Sequence, residues 1–284
     1  MNSDCETACS GAVWSGPVIG VVQTPFAEKF GAPRQAGVVP AAEGWVRLHP
    51  PYDRQEALVG LEQCSHLWLL YGFNRVSAAT EASLTVRPPR LGGNRRLGVF
   101  ATRSPFRPHP VGLSAVRLLA VHPGRAGRSP HPGHLHVAGV DLVDGTPLLD
   151  IKPYLPWADA LKDARCGWAD DRPTGLVDLP LRFSDAAKRE LEACEKFHSG
   201  FRVLLQQTLC ADPRPSYQNH QDGRDYGMAL AGIHVRWRVY SEAILVLELA
   251  AGEAGPRIVS GASDRAAACE LRPAAGPRER KAGS

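Results

Sequence analysis

No stretch of this chain approaches the roughly 20 consecutive apolar residues that a helix needs to cross a bilayer. A membrane-spanning helix is not expected, and 44% hydrophobic with 22% charged residues is ordinary for a soluble globular protein. The opening residues MNSDCETACSGAVWSG carry acids where a secretory signal carries a basic stretch, and they lack its apolar centre. The expected location is therefore the cytoplasm. No G-x-G-x-x-G opens a helix after a strand and no G-x-x-x-x-G-K-[ST] occurs, so neither of these glycine cradles for a nucleotide is available. The seven cysteines at 5, 9, 64, 166, 194, 210 and 269 include no C-x-x-C pair and no nearby histidine pair at ligand spacing. Neither a zinc site nor a disulfide framework is expected, and no metal. GLSAV at 112–116 lacks the last glycine of a nucleophile elbow, so Ser114 reads as an ordinary strand residue and a hydrolase is set aside. Acidic residues are missing altogether between Arg87 and Pro110, where Arg87, Arg90, Arg95, Arg96, Arg103 and Arg107 accumulate. That local cationic surface says more about an anionic partner than the net charge of +4 does.

What is present divides along the 284 residues. Residues 1–15 and 251–284 are mostly Ala, Gly, Pro, Ser and charge, too poor in large apolar side chains to offset ordering entropy, and are expected to be flexible tails. From residue 16 to 158 the pattern is short apolar runs set off by Gly and Pro: PVIGVVQTP, GWVRLHP, SHLWLLYGF, ASLTVRPP, LGVFATR, VGLSAVRLLAVHP, HLHVAGVDLVDG and TPLLDIKPYLP. Runs of that length, rich in Val, Leu and aromatics, read as strands, and their number with little room for helices favours a barrel or sandwich. One short helix is expected around Tyr52–Leu61 behind an Asp53 cap. After a polar, proline-containing linker at 159–180, the period changes. Ala187, Leu191, Cys194, Phe197, Phe201, Leu204, Leu205 and Leu209 recur at three and four, with Ser184 as N-cap, HSG at 198–200 as a break and Pro213 as a stop. Ile233, Val235, Trp237 and Val239 then alternate against His234, Arg236 and Arg238, a hairpin turning at YSEA. The expected architecture is mainly β: a β-rich first domain and a small α+β second domain over 181–250.

Three stretches carry candidate chemistry. FGAPRQAG offers Pro33, Arg34 and Gln35, a fork donor beside an amide, in a loop bounded by Gly31 and Gly37. RPPRLGGNRRLGVFATRSPFRPHPVGLS interleaves arginines with Phe106 and His109, which suits phosphates and bases. Arg103 reads as a strand residue between Phe100 and Phe106, where an unpaired guanidinium is costly, and it wants an anionic partner. GVDLVDGTPLLDIKPYLP places Asp141 and Asp150 among Val, Leu and Ile, while Asp144-Gly145 is a hairpin-turn signal. Such acids are salt-bridged structure, ribose ligands or a base in a partly desolvated pocket.

FGAPRQAG, CSHLWLLYGF, RPPRLGGNRRLGVFATRSPFRPHPVGLS, DLVDGTPLLDIKPYLPWAD and DPRPSY together resemble the TsaA-like family, in particular its tRNA methyltransferase O group, over about Pro17 to Leu249. The resemblance implies an S-adenosylmethionine-dependent enzyme on a non-Rossmann β-barrel, a homodimer that methylates N6 of threonylcarbamoyladenosine at position 37 of tRNA. It places cofactor contacts on Pro33, Arg34, Gln35, Asn74, Arg75, Arg103, Leu113, Ala138, Gly139, Val140 and Asp141. The Asn74-Arg75 pair departs from the His-Gln of some relatives. Arg90, Arg95, Arg96, Arg107, Arg214 and Tyr217 become tRNA contacts. Because a carbonyl group on N6 delocalises its lone pair, a base should help, and Asp144 and Asp141 are the candidates. The competing reading is a non-catalytic β-barrel that binds RNA or a nucleotide.

Overall fold

The computed structural model describes residues 16–76, 84–88, 95–124, 133–171, 175, 178–214 and 223–252. Among the described residues, eight strands occupy the first half: β1 (Gly20–Gln23), β2 (Glu43–Leu48), β3 (His66–Gly72), β4 (Thr85–Val86), β5 (Leu97–Gly98), β6 (Val111–His122), β7 (His134–Ala138) and β8 (Thr146–Pro153). Six of them close into an antiparallel barrel in the order β1-β2-β7-β6-β3-β8. Period-two alternation turns Leu67, Leu69 and Tyr71 of β3 inward, and Gly112, Ser114 and Val116 of β6, while Val111, Leu113 and Arg117 face out. Val22, Val46, Leu48, Leu135, Val137 and Leu148 fill the interior from the other strands. Each such side chain contributes about 1.5–3 kcal/mol by leaving water.

Two of the expected barrel strands are not in it. ASLTVRPP and LGVFATR supply only β4 and β5, which pair with each other as a separate ribbon (Thr85↔Gly98, Val86↔Leu97). Past β5 the chain forms a 3₁₀ turn at Val99–Ala101, so Arg103 lies in an exposed connection and not in a strand. The early helix α1 is only Gln55–Leu58, followed by a 3₁₀ turn at Leu61–Gln63. Asp53 does not cap it: the N-cap position is Arg54, and the Asp53 carbonyl accepts from Gly124 N at 2.9 Å instead. Asp144-Gly145 makes a turn, with Gly145 at φ +77°, but not a hairpin, because β7 and β8 have no common edge. It packs on β1 and the connection after it: Gly145 N donates to Val22 O at 2.9 Å and Asp144 N to Phe26 O at 2.7 Å.

A short helix α2 (Pro156–Asp159) leaves the barrel, and the second half holds β9 (Leu181–Phe183), α3 (Asp185–Phe197), α4 (Phe201–Cys210), β10 (Asp225–Leu230), β11 (Ile233–Val239) and β12 (Ile244–Ala251). The strands form one sheet, β10-β11-β12-β9, with β9 parallel to β12. The Ser184 hydroxyl accepts from Ala187 N at 3.0 Å and caps α3; Gly200 at φ +83° separates α3 from α4. The barrel and this α+β unit share a continuous core. Its bridge is the segment after β1: Phe30 stacks on Trp237 with ring centroids 6.1 Å apart, Ala231 N donates to Pro25 O at 2.7 Å, and Ala41 N donates to Gln207 Oε1 at 2.7 Å.

Candidate active site

In an antiparallel barrel neighbouring strands alternate direction, so β1, β3 and β7 finish at the end where β2, β6 and β8 begin. The connections 24–42, 73–110 and 139–145 all leave from and return to that one end. Stretches far apart in sequence, FGAPRQAG, ATRSPF and GVDLVDG, are thereby gathered there. The meeting of the first and third is close: Gly37 N donates to Gly139 O at 2.9 Å, and a Cβ on Gly139 would lie 3.3 Å from Gly37 Cα. Gly139 also needs its φ of +78°, a region that side chains disfavour. Val140 next to it is buried in the core, so only its backbone is available to a ligand; Ala138 is buried as well.

Asp141 follows and meets the barrel interior. Its Oδ1 accepts from the Ser114 hydroxyl at 2.6 Å, and Ser114 Oγ lies 3.1 Å from the Tyr71 hydroxyl. The Ala36 backbone N–H also points at the Asp141 carboxylate. Burial raises the Asp141 carboxyl above its ordinary range, and the hydrogen bonds from Ser114 and the backbone, with the charge of Arg103, only partly offset it. Tyr71 is pushed up to about 12, first by burial and then by the negative charge of Asp141. Arg103 Nη1 donates to Gln35 Oε1 at 2.6 Å, and Gln35 Nε2 donates to Arg34 O at 2.6 Å. Gln35, Arg103, Ser114, Tyr71 and Asp141 thus form one polar group at the barrel end.

Other expected residues have different surroundings. Asn74 is exposed beside β3. Arg75 commits its guanidinium to backbone carbonyls, Nη1 to Ala27 O at 2.8 Å and Nη2 to Asp144 O at 3.0 Å, and so ties three connections together. Pro33 is half-buried, and Arg34 Nη2 donates to Arg214 O at 3.2 Å. Leu113 is half exposed on the outer face of β6, the opposite side of the strand from Ser114. The Asp144 carboxylate accepts from Thr24 N at 3.0 Å, which builds it into the turn against β1. Asp150 pairs with Lys152 at 2.9 Å. Arg95 and Arg96 are exposed; Arg107 is half-buried and donates to Thr102 O at 3.1 Å, shaping the SPFRPHP turn. Arg214, expected on an RNA surface, is buried and holds Asp212 through Nε–Oδ1 at 2.7 Å and Nη2–Oδ2 at 3.0 Å, over the Tyr226 ring. Arg90 and Tyr217 lie outside the described residues. Among the described residues no group of three or more His, Cys, Asp or Glu is placed to hold a metal ion, and no helix is long and apolar enough to cross a membrane.

Comparison with known proteins decides the family. Residues 21–160 match the tRNA-methyltransferase O N-terminal domain, and residues 177–252 match the TrmO C-terminal domain. The chain belongs to the tRNA-methyltransferase O family. Among its relatives, the tRNA (adenine(37)-N6)-methyltransferase of Escherichia coli is 42% identical over 222 residues, 78% of this chain and 91% of that one. A Pseudomonas aeruginosa protein provisionally named S-adenosylmethionine-dependent methyltransferase RcsF is 46% identical over 237 residues, 83% and 97% of the two chains. A crystal structure of TrmO from Pseudomonas aeruginosa superposes with a TM-score of 0.64 at 39% identity, covering 84% of this chain and 99% of that one. Membership in the tRNA-methyltransferase O family accounts for the missing nucleotide-binding glycine motifs, since the fold is a barrel and not a Rossmann sheet. Nothing in the sequence marks Tyr71 out, and Ser114 reads there as an ordinary strand residue. The available signal was a hydroxyl in the inward phase of β6, between Gly112 and Val116, where a barrel normally carries aliphatic side chains.

Proposed function

We propose that this chain is an S-adenosylmethionine-dependent methyltransferase acting on N6 of adenine 37 in tRNA, and that the base it takes is already N6-threonylcarbamoyladenosine. The observation that carries the reading is Asp141: a carboxylate raised by burial, hydrogen-bonded by Ser114 and Ala36, beside the Arg103–Gln35 pair. The donor set suits the cofactor. Arg103 offers a cation to its carboxylate, the backbone of 33–37 and 138–141 offers donors and acceptors to its adenine, and Leu113 offers apolar surface. Bound there, S-adenosylmethionine would supply an electrophilic methyl group for a nitrogen nucleophile, with its thioether as the leaving group.

What the chain itself supplies concerns the proton on that nitrogen. Conjugation with the adenine ring and the carbamoyl carbonyl makes N6 a poor nucleophile, so an acceptor that draws its hydrogen during methyl transfer lowers the barrier. Asp141 is the better of the two candidate acids: burial raises its pKa, which brings its basicity nearer to that task. The exposed Arg95 and Arg96 provide phosphate contacts, with Arg107 organising the turn beside them.

The working unit in this reading is a cytoplasmic homodimer with the cofactor near the subunit interface. Val111 at 41% and Leu113 at 50% exposure, on the outer face of β6, support an apolar contact there. The polar stretch 159–180 divides a methyltransferase domain from a smaller C-terminal one, with the chain ends beyond residues 15 and 251 as tails. Incubation of the purified protein with S-adenosylmethionine and tRNA, with and without prior threonylcarbamoylation, followed by mass spectrometry of the position-37 nucleoside, tests the proposal. One added methyl on the threonylcarbamoylated nucleoside alone is expected. Methylation of unmodified adenine would overturn the substrate form, and RNA binding with no methyl gain would leave a non-catalytic RNA-binding barrel.

A further inference from the structure

We infer that Tyr71 and Ser114 form a fixed hydrogen-bond relay that orients Asp141 for its work on the N6 proton, which makes both of them positioning residues. The inference rests on the assignment of Asp141 as the base. Its ground is the direction that the hydrogen bonds must take. An ionised carboxylate only accepts, so the 2.6 Å contact requires Ser114 to donate to Asp141 Oδ1. A serine hydroxyl has one hydrogen, so at the 3.1 Å contact Ser114 must accept and the Tyr71 phenol must donate. Tyr71 therefore decides where the serine hydrogen points. Its phenol stays protonated throughout the range in which an enzyme works, being pushed up to about 12 by burial and by Asp141.

The surroundings are built for this chain. Tyr71 is 7% exposed and Ser114 2%, so water does not compete for either hydroxyl. The Tyr71 ring is held edge-on by Phe73, with centroids 5.4 Å apart. On the neighbouring strand, Gly112 faces Tyr71 in register, and any Cβ there would overlap the tyrosine ring. The ring thus occupies room that only glycine leaves. Among the described residues, the charged group acting on Asp141 is Arg103 from the connection before β6. The relay adds what the Arg103 charge cannot, a single direction for the Ser114 hydrogen bond at Oδ1.

The test compares Tyr71→Phe, Ser114→Ala, Ser114→Thr and Asp141→Asn in single-turnover methylation across pH, with S-adenosylmethionine affinity by calorimetry and Tm as controls. Tyr71→Phe removes one oxygen atom and keeps the ring, so it remains informative if a serine variant folds poorly. Ser114→Ala is expected to slow methyl transfer about tenfold to a hundredfold, the range for losing a hydrogen bond to a charged group, and Tyr71→Phe, which loses a bond to the neutral Ser114 hydroxyl, about twofold to tenfold. Cofactor affinity should hold. In Ser114→Ala the acidic limb of the pH–rate profile should move to higher pH, because the Ser114 hydrogen bond lowers the Asp141 pKa. A merely structural role would not move that limb, and Ser114→Thr, which keeps the hydroxyl, should restore it. Wild-type rates and an unmoved limb in Tyr71→Phe and Ser114→Ala, beside an inactive Asp141→Asn, would overturn the relay and leave the base assignment standing. Wild-type rates in Asp141→Asn would overturn both.

Discussion

Burial holds Asp141 above the ordinary carboxylate range, so the folded chain binds that proton more tightly than the unfolded chain does. Stability from this group is complete below the unfolded pKa and is lost as pH rises through the folded value, the reverse of an ion-paired acid. Asp225 shows the opposite sign: the hydrogen bond from Arg238 leads in lowering its pKa, with Arg236 adding to it. An Asp141→Asn variant is accordingly expected to gain in Tm relative to wild type as pH rises from the acidic range towards neutrality, while it loses methyl transfer. Thermal melts of both proteins across that range check it; a constant difference at every pH would show that Asp141 carries no such cost. Asp141 was legible in the sequence because an acid among Val and Leu is conspicuous. Its partner Ser114 was not, since a serine in a strand is commonplace and its neighbours Tyr71 and Asp141 are 43 and 27 positions away.

Strand β6 shows what a single element contributes. Its inward phase runs Gly112, Ser114, Val116: room for a ring, a hydroxyl for the relay, then core. A Gly112→Ala substitution drives a methyl into Tyr71. It should cost about 1–3 kcal/mol, the range for overpacking, and slow methyl transfer in the manner of Tyr71→Phe. Chemical denaturation with a rate measurement checks this, and a stable, fully active variant would mean that the ring can shift freely. Helix α3 and the β11–β12 hairpin followed directly from the sequence, because their signals are local: a Ser184 cap, a period of three to four, an alternation through Ile233, Val235, Trp237 and Val239. The misread elements failed where local pattern and partner choice diverge. LGVFATR has the composition of a strand, yet β5 finds only β4 to pair with, and the rest is left as a turn that carries Arg103 to Gln35.

At the scale of the molecule, the α+β unit braces the site. Trp237 is buried between Phe30 and Tyr226, and Met228 lies under Gly31, so the loop that presents Gln35 rests on the second sheet. Trp237→Ala should lose about 3–5 kcal/mol of stability. It should also weaken S-adenosylmethionine binding, measured by calorimetry, although no atom of Trp237 belongs to the site. Lost stability with unchanged affinity would separate the brace from the site. The same coupling explains Arg214, which the family resemblance placed on an RNA face. Its guanidinium is enclosed with Asp212, and its carbonyl receives Arg34, joining the two units.

Period, capping and turn residues depend on neighbours within a few positions, so the sequence determined the β-rich first half, the helices of the second and the motifs that mark the family. Barrel closure depends on which distant strands share an edge. Only the tertiary structure therefore decided that three connections leave from one end, that Asp144 braces a turn while Asp141 meets Ser114, and that a tyrosine of β3 orients them. A buried polar chain exists only where its members converge from separate strands, and its energetics arise from the water excluded around them.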